Sequence, residues 1–173
     1  MPGWPPRCEL VVYPVGQLPD AIALNPGVVL MLTREGVPKT WFYAGYAAVR
    51  ELHVVDAPPL GRLIRFATSG VGASLLVEPA LGEVLFAVSI GGGTPAFVNS
   101  SLAQFTATAR AVVDRYPYYT LTSSLDAVLA ATADVEQIIK SIDPAALGPG
   151  LYWATFVEDM RAGAFASEIL TGN

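Results

Sequence analysis

One histidine, one cysteine and one adjacent acidic pair are the groups in this 173-residue chain that could do chemistry. His53 stands in Glu51-Leu52-His53-Val54-Val55. A histidine acting as general base needs a nucleophile beside it, and no Gly-x-Ser-x-Gly turn occurs. A metal site needs several His, Cys or clustered carboxylates, and the chain has one His and one Cys. His53 therefore reads as a structural or surface histidine. Cys8 has only Arg7 beside it to favour the thiolate, so it reads as structural. Glu158 and Asp159 resemble an acid/base pair, but adjacent helical positions point about 100° apart and do not converge on one atom. Gly91-Gly92-Gly93 could cradle a phosphate only if it opened onto a helix. It leads instead to Pro95 and a short apolar run, so it reads as a turn. The expectation is a protein with no catalytic residue, no cofactor and no metal: not an enzyme.

The aromatic group Trp41, Phe42, Tyr43 and Tyr46 has two readings. It is core, or it is an anchor for a protein partner, because exposed Trp and Tyr dominate interface energetics. On the second reading these four are candidate partner-binding residues.

The elements that must position such residues follow from composition and period. Hydrophobic residues make up 53% and charged residues 14%, enough apolar surface to offset the entropy of ordering the chain. No apolar stretch reaches the ~20 residues of a spanning helix. The longest, Gly70 to Gly93, is cut by Glu78, Pro79 and Glu83, so no membrane association is expected. Met1 to Pro6 lacks a signal pattern and a lone cysteine fits a reducing compartment, which together suggest the cytoplasm. Ten basic against fifteen acidic residues give a net charge of −5. Nucleic-acid binding requires a basic face, whereas an acidic surface attracts a basic partner.

Residues 1–24, with five prolines, read as an extended arm with an edge strand from Leu10 to Tyr13. Asn25-Pro26 starts a helix, Asn as cap and Pro at the first position. Val28, Val29 and Leu32 face the core, and Gly36 ends the helix. Residues 39–60 fit no single period. A meander of strands follows: Leu60 to Ala67, Ser74 to Glu78, Val84 to Ser89 and Pro95 to Val98, with Pro79-Ala80-Leu81-Gly82 as a hairpin turn. The period then becomes helical. Leu102, Phe105, Ala109, Val112, Val113 and Tyr116 form one stripe, and Ser101 with Gln104 fits a capping box. A second helix, Ser124 to Ser141, buries Leu125, Val128, Leu129, Thr132, Val135, Ile139 and Ile142. A third, Leu151 to Arg161, buries Trp153, Phe156, Val157 and Met160. This order predicts an α+β fold: a twisted, mainly antiparallel sheet covered by helices on one side. The expectation is a single domain over 1–173, with the arm 1–24 and a core over 25–170.

Three segments together resemble one family. Leu32-Thr33-Arg34-Glu35-Gly36-Val37-Pro38 is similar to its helix end and turn, with Val37 where Leu is usual. Leu76-Val77-Glu78-Pro79-Ala80-Leu81-Gly82-Glu83-Val84 is similar to its strand-turn-strand element, with Glu78 where Asp is common. Phe97-Val98-Asn99-Ser100-Ser101-Leu102-Ala103-Gln104-Phe105 resembles its strand-to-helix junction and is the most specific. Asp143-Pro144 through Trp153 to Phe156 adds a fourth likeness. The resemblance, over about residues 28–163, is to the type-four immunity-protein branch of the SUKH superfamily. It implies a bacterial protein that binds and blocks a cognate polymorphic toxin, a nuclease or nucleic-acid deaminase. The alternative it leaves is a regulatory or scaffold module with another protein partner. It carries over no catalytic residue. Gly36, Pro38, Glu78, Pro79, Gly82, Glu83, Val98, Asn99, Ser100, Ser101, Leu102 and Phe105 are expected to be fold elements, with Asn99, Ser100 and Ser101 forming a helix cap.

Overall fold

The structure, a computed structural model, describes residues 8–20, 22–41, 43–70, 72–88 and 93–171. Among the described residues the first strand is β1 (Leu10–Val11), and helix α1 (Pro26–Leu30) follows it. Asn25 caps α1, its side-chain oxygen accepting from the Gly27 N–H at 2.7 Å. The helix widens into a π-turn over Met31–Glu35, closed by the Gly36 N–H donating to the Met31 carbonyl at 2.7 Å. Gly36 leaves it at φ 90°. A side chain there would be strained, and its Cβ would lie 2.9 Å from the Leu10 Cβ. Val28 and Leu32 are buried as expected; Val29 is only half-buried, and Met31 takes its place because the wider turn resets the helical period.

Strand β2 (Val37–Pro38) pairs antiparallel with β1. The main sheet then runs in chain order: β3 (Thr40–Trp41), β4 (Tyr46–Ala57), β5 (Gly61–Ser69), β6 (Ala73–Val77), β7 (Val84–Val88) and β8 (Ala96–Asn99). All its pairings are antiparallel. Helices α2 (Leu102–Asp114), α3 (Leu125–Ile142) and α4 (Tyr152–Arg161) cover one face, and a short α5 (Ser167–Thr171) ends the described chain. The fold is α+β.

Residues 39–60 hide a 12-residue strand, β4. Its register against β5 shifts between Ala48 and His53. A bulge resets which face successive side chains occupy, so the alternation that marks a strand is lost. β6 also lacks alternation, for a different reason: all five of its residues are buried. Leu75 and Val77 enter the main core, while Leu76 joins Ala57, Leu63 and Leu85 in a smaller apolar cluster. Strand alternation places these on opposite faces of the sheet.

The main core lies between sheet and helices. Phe66, Leu75, Val84 and Val98 meet Phe105, Val112, Ile139, Trp153 and Phe156 there. Tyr13, from the N-terminal segment, is buried in the same cluster, and its hydroxyl donates to the Val49 carbonyl at 2.9 Å. The stripe of α4 is buried as expected. The stripe of α3 is not: Leu125 is 68% and Leu129 39% exposed, and the buried residues are Thr132, Val135 and Ile139. The periodic pattern extends beyond the turns that other elements cover.

The junction from β8 to α2 is tied by polar contacts, and these correct the expected capping role of Asn99 and Ser100. Only Ser101 caps α2, its Oγ accepting from the Gln104 N–H at 3.1 Å. The return contact of the box goes to the Ser101 hydroxyl, which donates to the Gln104 side-chain oxygen at 2.8 Å, while the Gln104 amide donates to the Ile142 carbonyl at the end of α3, 3.1 Å away. Asn99 and Ser100 turn to Asp143, which is 1% exposed. One Asp143 oxygen accepts from the Asn99 amide at 2.9 Å and the Ser100 N–H at 2.7 Å. The other accepts from the Ser100 hydroxyl at 2.9 Å. Asn99 in turn accepts from the Trp153 indole N–H at 2.7 Å.

Two substitutions rank these contacts. Ser101→Ala removes one cap and is expected to lower stability by about 0.5–2 kcal/mol. Asp143→Ala strands several buried donors and should cost more, about 2–5 kcal/mol. Urea denaturation of both variants checks the order.

Candidate partner-binding surface

The aromatic group singled out in the sequence divides in the structure. Trp41 and Tyr46 are each 2% exposed and belong to the core, so they offer no surface to a partner. Packing is the physical reason: Trp41 lies 5.3 Å from Trp153 and 6.0 Å from Phe156 between ring centroids. Phe42 lies outside the described residues. Of the three that are described, Tyr43 alone is half-buried at a surface.

Tyr43 sits in a tight turn, Tyr43–Gly45. Ala44 there adopts φ 60°, ψ 11°, the left-handed region that costs a side-chain-bearing residue about 1–2 kcal/mol. The turn sets the Tyr43 ring edge-on to Tyr152 at 5.3 Å and to Phe156 at 5.1 Å. The Trp41 indole N–H donates to the Tyr152 hydroxyl at 2.7 Å, and the Tyr43 hydroxyl donates to the Asp159 carboxylate at 2.9 Å. Around these rings opens an apolar groove of about 350 Å³, lined by Tyr43, Ala44, Phe86, Ala96, Gly150, Tyr152 and Thr155. Burial pushes the Tyr152 phenol well above its usual range. Burial does the same to Tyr43, helped by the hydrogen bond to Asp159 and the charges of Asp159 and Glu158. Both phenols stay protonated, so the groove is uncharged and its carboxylates lie beside it.

The groove was not legible in the sequence beyond Tyr43. Tyr152 gave a weak signal: it is an aromatic next to the buried stripe of α4 rather than in it. Phe86, Ala96, Gly150 and Thr155 come from separate elements and share no spacing.

The other singled-out residues lie elsewhere. His53 is exposed on β4. Cys8 is half-buried, and burial pushes its thiol up to about 11, against a lowering by Arg110. Gly91 and Gly92 lie outside the described residues. Among the described residues no group of three or more His, Cys, Asp or Glu is placed to hold a metal ion. No helix among them is long and apolar enough to cross a membrane.

The motif residues occupy two turns and a junction. In the β6–β7 turn the Glu78 N–H donates to the Glu83 carbonyl at 2.8 Å, and the Glu78 carboxylate accepts from the Leu81 N–H. Pro79 is buried, and Gly82 follows at φ 83°. The Pro79 carbonyl accepts from the Asn25 N–H at 2.8 Å, which joins this turn to the start of α1. Gly36 and Pro38 form the second turn, leading from α1 into β2, and Pro38 is paired with Leu10. Val98, Leu102 and Phe105 are core residues at the junction of β8 and α2.

The sequence model of the SUKH-4 immunity protein family matches residues 19–159. The chain belongs to this family. The matched span of the SUKH-4 chain includes both turns, the whole sheet, the Asp143 network and nearly all of the groove's α4 wall. No curated protein and no solved structure matches it.

The tyrosines make the SUKH-4 fold sensitive to alkali. A group whose folded pKa is raised contributes stability below its unfolded pKa and loses it as pH climbs toward the folded value. Burial pushes Tyr13 from 10.0 up to about 12. Stability to urea is therefore expected to be steady up to about pH 10 and to fall above it. Tyr13→Phe should flatten part of that fall. Urea midpoints measured from pH 8 to 11.5 give the comparison.

Proposed function

We propose that this SUKH-4 protein neutralises a cognate toxin domain that processes nucleic acid, a nuclease or a deaminase. It does so by binding in the cytoplasm of the producing cell, without chemistry of its own. Family membership supports the immunity role. The observation that carries the mode of binding is the aromatic groove with Glu158 exposed and Asp159 half-buried on the α4 turn beside it. Enzymes that act on nucleic acid carry basic faces for their substrate. A basic, partly apolar face fits this surface twice over: an apolar side chain enters the groove, and a Lys or Arg next to it meets the carboxylates. Occupying that face excludes the substrate.

The two halves of the contact act on different rate constants. Charges at a rim mainly steer association, and close packing mainly governs dissociation. The net charge of −5 gives a moderate field, screened over roughly 10 Å at 0.1 M salt and 3 Å at 1 M.

The test is capture of the toxin from the native cell, followed by kinetics with the purified pair. Association is expected to slow moderately with salt. Glu158→Lys should slow it by about two- to tenfold at low salt and leave dissociation nearly unchanged. Ala96→Trp, which fills the groove from an exposed position, should instead speed dissociation. An association rate indifferent to salt and to Glu158→Lys would sink the electrostatic part of the reading.

A further inference from the structure

The face of the sheet away from the helices carries a second concavity, of about 230 Å³. Its floor is Arg65 on β5, Ser74 and Leu76 on β6 and Ala87 on β7. Register sets these side by side: Arg65 pairs with Leu76, and Ser74 with Ala87. One wall is the end of β4 from Val55 with Pro58, and the other is Val88, Gly93 and Pro95.

Arg65 is the unusual member. Its Nε is buried and has no hydrogen-bond partner, and among the described residues Arg65 makes no salt bridge. A guanidinium donor withdrawn from water without an acceptor is costly, and native structures seldom keep one without a purpose. Most of its surroundings are apolar, so no neighbour on the floor can supply a second charge. Asp56 belongs to the wall, but in register it faces Arg62. The guanidinium fork matches a carboxylate in two parallel hydrogen bonds, and low-polarity walls strengthen such a pair. The volume is small, enough for about one acidic side chain and part of a neighbouring apolar one.

We infer that this groove is a binding site for an acidic residue of a protein partner, a Glu or Asp flanked by apolar side chains, held by Arg65. Leu76, Ala87 and Pro95 take the apolar flank, and the Arg65 guanidinium takes the carboxylate. The site lies across the sheet from the helices, and it does not rest on the toxin reading.

The test follows the Arg65 Nε–H resonance of the full, nitrogen-labelled chain by NMR. The probes are acetyl-Leu-Glu-Leu-amide, acetyl-Leu-Gln-Leu-amide and inorganic phosphate. The Glu peptide is expected to shift the resonance downfield and saturably, and the Gln peptide and phosphate to bind more weakly by on the order of tenfold or more. Arg65→Lys, its folding confirmed by thermal melting, should abolish saturable binding followed at the backbone amides of β6 and β7. If that variant does not fold, Ala87→Leu narrows the groove with Arg65 in place and should weaken binding likewise. No saturable shift with the Glu peptide overturns the inference. So does equal binding of the Gln peptide or of phosphate, or undiminished binding by the folded variant.

Discussion

The buried carboxylate of Asp143 is the contact on which the rest of the architecture depends. It accepts from Asn99 and Ser100 at the end of the sheet, and Asn99 passes the connection to Trp153. Sheet, α2, the end of α3 and α4 thus meet at one group. Apolar packing alone would let the helical layer slide over the sheet, because hydrophobic contact has no direction. Hydrogen bonds do have direction, and a buried network that is fully satisfied selects one arrangement. Gln104 repeats the device nearby by reaching from α2 to the last turn of α3.

From that junction the consequences spread through Trp153. Its ring lies 5.7 Å from Phe156 and 5.4 Å from Tyr152. Phe156 and Tyr152 support Tyr43, and Tyr43 sets one side of the aromatic groove. The groove is therefore built on the same indole that anchors α4 to the sheet. The left-handed turn at Ala44 persists because Tyr43 on one side and the paired strand β4 on the other leave the backbone no alternative.

Much of the fold was legible in the sequence where one period holds without interruption. The stripe of α4, that of α2 from Leu102 to Val113, the cap at Ser101 and the Pro79–Gly82 turn are legible in this way; Tyr116, expected at the end of the α2 stripe, lies beyond the helix and is half-buried. Failures have local causes. The bulge in β4 mixes the faces of Tyr46 to Ala57, so no alternation survives to be seen. The stripe of α3 runs on to Leu125 although its first turns are mostly exposed, Val128 alone of the stripe's first three residues packing on the core. Asn99 and Ser100 look like capping residues, since Asn and Ser usually are; their partner is 43 or 44 residues away, a distance no local pattern reports. The candidate site was least legible of all. Of the three described aromatics among those proposed from the sequence, Trp41 and Tyr46 are core, and Tyr43 reaches the groove. A surface assembled from a turn, two strands and a helix leaves no signature in spacing.

The groove has a fixed floor and a replaceable rim. Tyr43 and Tyr152 are locked by Trp41, Phe156 and Asp159, whereas Ala44, Ala96 and Gly150 are exposed. Changes at exposed positions usually alter stability by no more than about 0.5 kcal/mol. Ala96 can therefore vary in size and charge with the fold unharmed, while Ala44 and Gly150, at φ 60° and 71°, accept a narrower set of residues. On the proposed reading of the groove as a recognition surface, its shape can be rewritten one small side chain at a time on an unchanged scaffold.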